Sequence, residues 1–114
     1  MATIEELLER ARAQLERVTP EEAARAMEER GALLVDIRPD GQRAADGEVP
    51  AARHIPRNVL EWRVDTFDAR PVILMCDAGY QSSLAAVTLR ELGVDATDLD
   101  GGFQAWRDAG LPTT

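Results

Sequence analysis

Apolar positions along the chain alternate between helical spacing and short unbroken runs. Ile4, Leu7, Leu8, Ala11, Leu15 and Val18 recur at helical intervals behind Thr3 and Glu6, a capping-box pair, so the pattern predicts an amphipathic helix running to about Val18. That face must bury against something, either the domain's own surface, as short amphipathic helices usually do, or a partner. Thr19-Pro20-Glu21-Glu22 is a second start signal with Pro at the first helical position, and Gly31 is placed to stop that helix. Leu33, Leu34 and Val35 read as a strand that runs out through Asp36, Ile37 and Arg38. Pro39, Asp40 and Gly41 then open a long irregular loop that continues through Gly47 and Pro50. Arg53-His54-Ile55, ahead of Pro56, suits a brief extended segment. Asn58 can cap a helix carrying Val59, Leu60, Trp62 and Val64 that ends before Pro71.

Val72 to Met75 is a continuous apolar run, the mark of a strand covered on both faces. After a short loop, Leu84, Ala85, Val87, Thr88, Leu89 and Leu92 form a helical stripe that Ser82 or Ser83 could cap. Ala96 to Leu99 reads as another strand, and Asp100-Gly101-Gly102 leads into a last helix with Phe103 and Trp106, closed by Gly110 and Pro112. Trp62 and Trp106 fall on helical apolar faces and are expected as core anchors. Strands that alternate with helices predict an α/β domain with a mainly parallel sheet and helices on both faces. In such a sheet the carboxyl ends of the strands share one edge, which would gather Arg38, Pro56-Arg57, Cys76 and Asp100-Gly101-Gly102.

A chain of 114 residues with 45% hydrophobic content has room for one core. No internal repeat or interior linker divides it. Its 21 acidic against 13 basic residues give a net charge of -8, which disfavours nucleic acid and anionic membranes as partners. No apolar run approaches membrane-spanning length, and the first residues lack the basic and apolar regions of a signal peptide, so a cytoplasmic location is expected. One cysteine and one histidine allow neither an internal disulfide nor a zinc site of the usual structural kind. Any sulfur chemistry must therefore be monothiol and be completed by a partner.

The candidate for that chemistry is Cys76, at the hinge between a buried strand and a helix. A loop here, Cys76-Asp77-Ala78-Gly79-Tyr80-Gln81 with Ser82 following, would turn several backbone N–H groups toward its centre, and the helix N-terminus adds partial positive charge. Such a cradle favours an anion, and at Cys76 it favours the thiolate, the nucleophilic form. The alternative is a buried, inert cysteine that packs as a small hydrophobe, and the neighbouring Asp77 argues for it. Arg57 near the thiol would offset Asp77 and hold an anionic substrate, whereas Arg38 is expected first to brace the turn it shares with Asp36. Tyr80 could rim a pocket or stand plainly exposed, and His54 reads as structural or exposed.

These stretches together resemble the rhodanese family of sulfurtransferases. Leu33-Leu34-Val35-Asp36-Ile37-Arg38-Pro39 is similar to the family's first signature, the segment Gly47 to Pro56 to its second, and Asp100 to Pro112 to its closing one; Cys76 to Gln81 resembles the six-residue active loop. The likeness runs from about Thr19 to Pro112 and leaves out only the N-terminal helix, residues 1–18, as an extension to a domain spanning 19–114. It implies a three-layer α/β/α fold and a persulfide carried on Cys76. It also implies no metal or organic cofactor, a small anionic sulfur donor such as thiosulfate or a protein persulfide, and a thiol or cyanide acceptor. Asp77, Ala78, Gly79, Tyr80, Gln81 and Ser82, with Arg38 and Arg57, would bind substrate. Related phosphatases carry arginine where Ser82 stands, so the resemblance speaks against phosphate chemistry. The chain departs from many active members at Asp77, often basic or neutral, at Gln81, often arginine, and at Glu48, often histidine. Those departures favour a donor of low charge over thiosulfate. Two other roles fit the same residues: a non-catalytic regulatory or protein-interaction module, and a monothiol redox sensor oxidised at Cys76.

Overall fold

The computed structural model describes all 114 residues. Five α-helices and four strands follow one another as α1 (Ile4–Ala13), α2 (Pro20–Arg30), β1 (Leu33–Asp36), α3 (Asp40–Asp46), β2 (Arg53–His54), β3 (Val72–Met75), α4 (Gln81–Glu91), β4 (Ala96–Asp98) and α5 (Gly102–Asp108). A 3-10 helix, Arg57–Phe67, lies between β2 and β3. The strands form one parallel sheet in the order β2-β1-β3-β4. Leu33 pairs with Val72 and Asp36 with Met75, so the two central strands finish level with each other and Cys76 emerges beside Ile37.

Burial on both faces explains the unbroken apolar runs. On one face Leu33, Val35, Val72, Leu74 and Cys76 pack against Leu60, Phe67, Ala85, Ala86 and Leu89 from the 3-10 helix and α4. On the other, Leu34, Ile73 and Met75 meet Ala23 of α2 and Phe103 and Trp106 of α5, with Leu99. Alternate residues of a strand thus face opposite cores, as the period of two requires. Trp106 is buried and donates its indole N–H to the Pro112 carbonyl at 3.0 Å.

Several elements differ from their expected form. α1 stops at Ala13, and Val18 instead forms a parallel bridge with Leu99, donating to the Asp98 carbonyl at 3.1 Å and accepting from Asp100 at 2.8 Å. The sheet edge therefore draws residues 15–18 out of the helix, because β4 would otherwise leave those backbone groups unpaired. α1 docks on α4 through Ala11, while Ile4 and Leu7 of its apolar face remain exposed. The loop after Pro39 contains a short helix, α3, which has no buried residue and is tethered by Arg43 to Asp36 and Glu48. Asn58 caps nothing; Pro56 occupies the cap position of the 3-10 helix. Trp62 is not a core anchor, being 76% exposed: it lies two residues past the fully buried Leu60 and so on the far side of the helix. Leu92 is exposed because α4 ends at Glu91. No helix is long and apolar enough to cross a membrane.

The contrast between a buried and an exposed apolar side chain is measurable. Leu89→Ala, at a position with no exposure, is expected to lower unfolding free energy by about 2–5 kcal/mol in urea titration, whereas Trp62→Ala should stay within about 0.5 kcal/mol of the wild type. Equal costs would contradict this packing.

Candidate active site

β3 delivers Cys76 to the carboxyl edge of the sheet, and residues 77–80 turn the chain into α4. Gly79 permits the turn: its φ is +90°, and a Cβ there would stand 2.9 Å from the Gly101 amide nitrogen. The resulting ring of backbone places two donors on the sulfur. The Gly79 N–H donates to Cys76 Sγ at 3.3 Å and the Ser82 N–H at 3.4 Å, the second belonging to the opening turn of α4. Both contacts, together with the helix dipole, favour negative charge on sulfur.

Neither serine acts as the cap expected of it. Tyr80 holds the N-cap position without a side-chain bond, and Ser82 and Ser83 lie fully buried inside the first turn. Their hydroxyls point sideways and donate to Asp98 Oδ2 at 2.7 and 2.8 Å. The Cys76 thiol in turn reaches Ser82 Oγ at 3.3 Å, so a continuous path of hydrogen bonds links the sulfur to the Asp98 carboxylate. Asp98 has no exposure, and its charge is met by Arg17, whose Nε donates to Oδ1 at 2.9 Å and whose Nη2 lies 3.2 Å from Oδ2. Burial alone would lower the Arg17 pKa; the hydrogen bond and attraction from Asp98, joined by Asp100 and Cys76, outweigh it and hold the guanidinium above its ordinary value.

The same guanidinium donates to the Gly79 carbonyl at 2.9 Å, and Arg12, from the last turn of α1, donates to that oxygen at 2.7 Å. On the opposite side α5 braces the start of the loop. Phe103 N–H donates to the Cys76 carbonyl at 2.8 Å and Gln104 N–H to that of Asp77 at 3.1 Å, while Gln104 Nε2 donates to Asp77 Oδ2 at 2.8 Å. Asp77, the charge set against a thiolate, is thus held sideways by α5.

Above the sulfur is a cleft of ≈ 240 Å³ lined by Arg38, Pro39, Gln42, Cys76, Asp77, Ala78, Tyr80 and Gln81. Arg38 is wholly buried, donates from Nε and Nη2 to Asp36 at 3.0 and 2.8 Å, and covers the Phe103 ring at 3.9 Å from its centroid. It therefore braces Asp36 and lines the cleft at once. Arg57 lines no part of it, since its Nη1 is bound to both Glu61 oxygens at 2.7 and 2.8 Å. Tyr80 is largely exposed at the rim, with the Arg12 guanidinium 5.5 Å from its ring centroid. His54 donates to the Arg38 carbonyl at 2.8 Å and stands outside the cleft. No cluster of His, Cys, Asp and Glu is arranged to hold a metal ion.

Arg12, Arg17 and Asp98 are the residues that periodicity passed over. Their partners lie up to 81 positions away in sequence. One clue was available: a carboxylate inside an apolar strand, Ala96-Thr97-Asp98-Leu99, requires a buried donor somewhere in the chain.

Known proteins resemble this chain in sequence and in fold. The family model described as "Rhodanese-like domain" matches residues 19–109. Thiosulfate sulfurtransferase GlpE of Pseudomonas fluorescens (strain SBW25) is 42% identical over 91 residues, covering 77% of this chain and 82% of its own length. Among solved structures, a protein of unknown function from Rhodopseudomonas palustris CGA009, described as a possible tyrosine phosphatase, superposes with a TM-score of 0.90 at 28% identity, covering 100% of this chain and 96% of that one. A rhodanese-like domain protein from Staphylococcus aureus gives a TM-score of 0.74 at 27% identity, with 88% and 99% covered.

Gly102 shows how tightly α5 is applied to the loop. Its φ is +59°, and a Cβ would lie 2.5 Å from the Cys76 carbonyl oxygen and 2.6 Å from that of Asp77. Gly102→Ala is therefore expected to destabilise by more than about 2 kcal/mol and to slow alkylation of Cys76. A variant as stable and as readily alkylated as the wild type would disprove this bracing.

Proposed function

The chain belongs to the rhodanese-like domain family, and from that premise we propose that it is a sulfurtransferase which carries a sulfane sulfur on Cys76. One observation carries the reading: Cys76 Sγ lies at the foot of a cleft and accepts two backbone N–H groups, of Gly79 and Ser82. The thiolate attacks the sulfane sulfur of a donor; a new S–S bond forms, the donor's S–S bond breaks, and its electron pair leaves with the residual anion, sulfite when the donor is thiosulfate. The outer sulfur of the Cys76 persulfide is then attacked by an acceptor thiolate or cyanide, and the Cys76 thiolate is restored. Fixed N–H donors aimed at charge on sulfur stabilise both steps without reorganising.

Ser82 weighs against a phosphatase reading, although one structural neighbour is described in those terms. Its fully buried side chain is spent on Asp98 and Cys76. No guanidinium projects from that position to hold a phosphoryl group. The donor is expected to be of low charge, a protein or small-molecule persulfide, because Asp77 lines the cleft and Gln81 adds no positive charge.

Two measurements test this reading. Mass spectrometry after incubation with thiosulfate, polysulfide or a persulfide should find one added sulfur on wild-type Cys76 and none on Cys76→Ser. Transfer by Cys76→Ser, or oxygen adducts under peroxide with no sulfur adduct from any donor, would sink it, the latter in favour of a redox sensor. Asp77→Asn should raise kcat/KM for thiosulfate, a dianion, by about three- to tenfold and that for an uncharged trisulfide donor little; equal changes for both donors would remove the electrostatic argument.

A further inference from the structure

The two guanidinium groups on the loop come from Arg12 and Arg17, in the segment ahead of the family match at residues 19–109. Both donate to one acceptor, the Gly79 carbonyl, at 2.7 and 2.9 Å. A peptide is planar and trans, so a carbonyl held by the arginines also fixes the N–H across the same bond, that of Tyr80, on the side of the loop away from them. The residue's own N–H is the one that donates to Cys76 Sγ. We propose that Arg12 and Arg17 are positioning residues of the sulfur-transfer loop: by clamping the Gly79 carbonyl they orient the Gly79–Tyr80 amides toward the reacting sulfur.

The proposal rests on the sulfurtransferase reading only for what the loop is used to do. Each arginine is itself held in place. Arg17 is anchored by Asp98 and by Asp100, whose Oδ1 lies 3.2 Å from Nη1, and Arg12 donates from Nε to Ser83 Oγ at 3.2 Å. Arg17 also contacts the loop sterically, because a Cβ on Gly79 would lie 3.1 Å from its Nη2. Cys76 is among the groups that raise the Arg17 pKa, so its charge and that of the sulfur attract each other. Positive charge missing at Gln81 is in this way supplied from behind the loop instead of from within it.

Arg12→Ala, Arg17→Lys and the double variant test the clamp, with two rates measured for each: sulfur transfer, and alkylation of Cys76 by iodoacetamide as a function of pH. Alkylation needs the thiolate but no sulfur donor, so it reports on the loop independently of the proposed activity. Each single variant is expected to slow both rates by about threefold, and the pair by more than the product, because one remaining guanidinium keeps part of the hold on the carbonyl that the loss of both releases. The alkylation midpoint of the pair should move to higher pH. Wild-type rates in the folded double variant, or a loss equal to the product of the single effects, would overturn the proposal. If circular dichroism finds the pair unfolded, Arg12→Ala decides alone: a threefold loss at unchanged melting temperature supports the clamp, and wild-type rates refute it. A wild-type Cys76 that is alkylated but takes sulfur from no donor would end the sulfurtransferase reading while leaving the clamp to be judged by alkylation.

Discussion

A carboxylate without solvent is the constraint on which this molecule is arranged. Asp98 ends the edge strand with no exposure, and an ionised group so placed is tolerated only if donors surround it. The donors come from two directions: the Ser82 and Ser83 hydroxyls in the first turn of α4, and the Arg17 guanidinium from the segment before α2. Satisfying one charge therefore joins β4, the start of α4 and the N-terminal segment at a single point. The cysteine is tied to the same point through Ser82. Stability and chemistry share this node, since the serine that completes the carboxylate's shell also contributes an N–H to the sulfur.

The parallel sheet supplies the frame. Its two central strands end level, so β1 brings Asp36 and Arg38 to one side of the cleft while β3 brings Cys76 to its floor. α5 secures the loop from the other side through Phe103 and Gln104. The loop itself has few choices left: its carbonyls at Cys76, Asp77 and Gly79 are each engaged by a neighbouring element, and its amides are free to turn toward the sulfur.

What could be read from the amino acids, and what could not, divides along range of interaction. Val72 to Met75 announced a doubly covered strand because both of its faces meet apolar partners, and the Thr19 capping box marked α2 because its bonds span three residues. The Cys76 loop was legible as well, since Gly79 sits where only a positive φ closes the turn. Long-range pairing was not. Leu15 and Val18 continue a helical pattern that the edge of β4 overrides, and nothing local to Arg17 signals that it serves a carboxylate and a carbonyl far along the chain. Trp62 misled for a related reason: an aromatic residue in an apolar stretch carries no label for which side of the helix meets the core. Arg57 was near the right edge of the sheet, but Glu61, one turn on, claims it.

Cys76 is only 5% exposed: it lines the cleft, accepts from the start of α4 and packs into the apolar core. A sulfur atom reached through a single doorway can receive only one visitor at a time. For the chemistry proposed, the spent donor must vacate the cleft before the acceptor enters it.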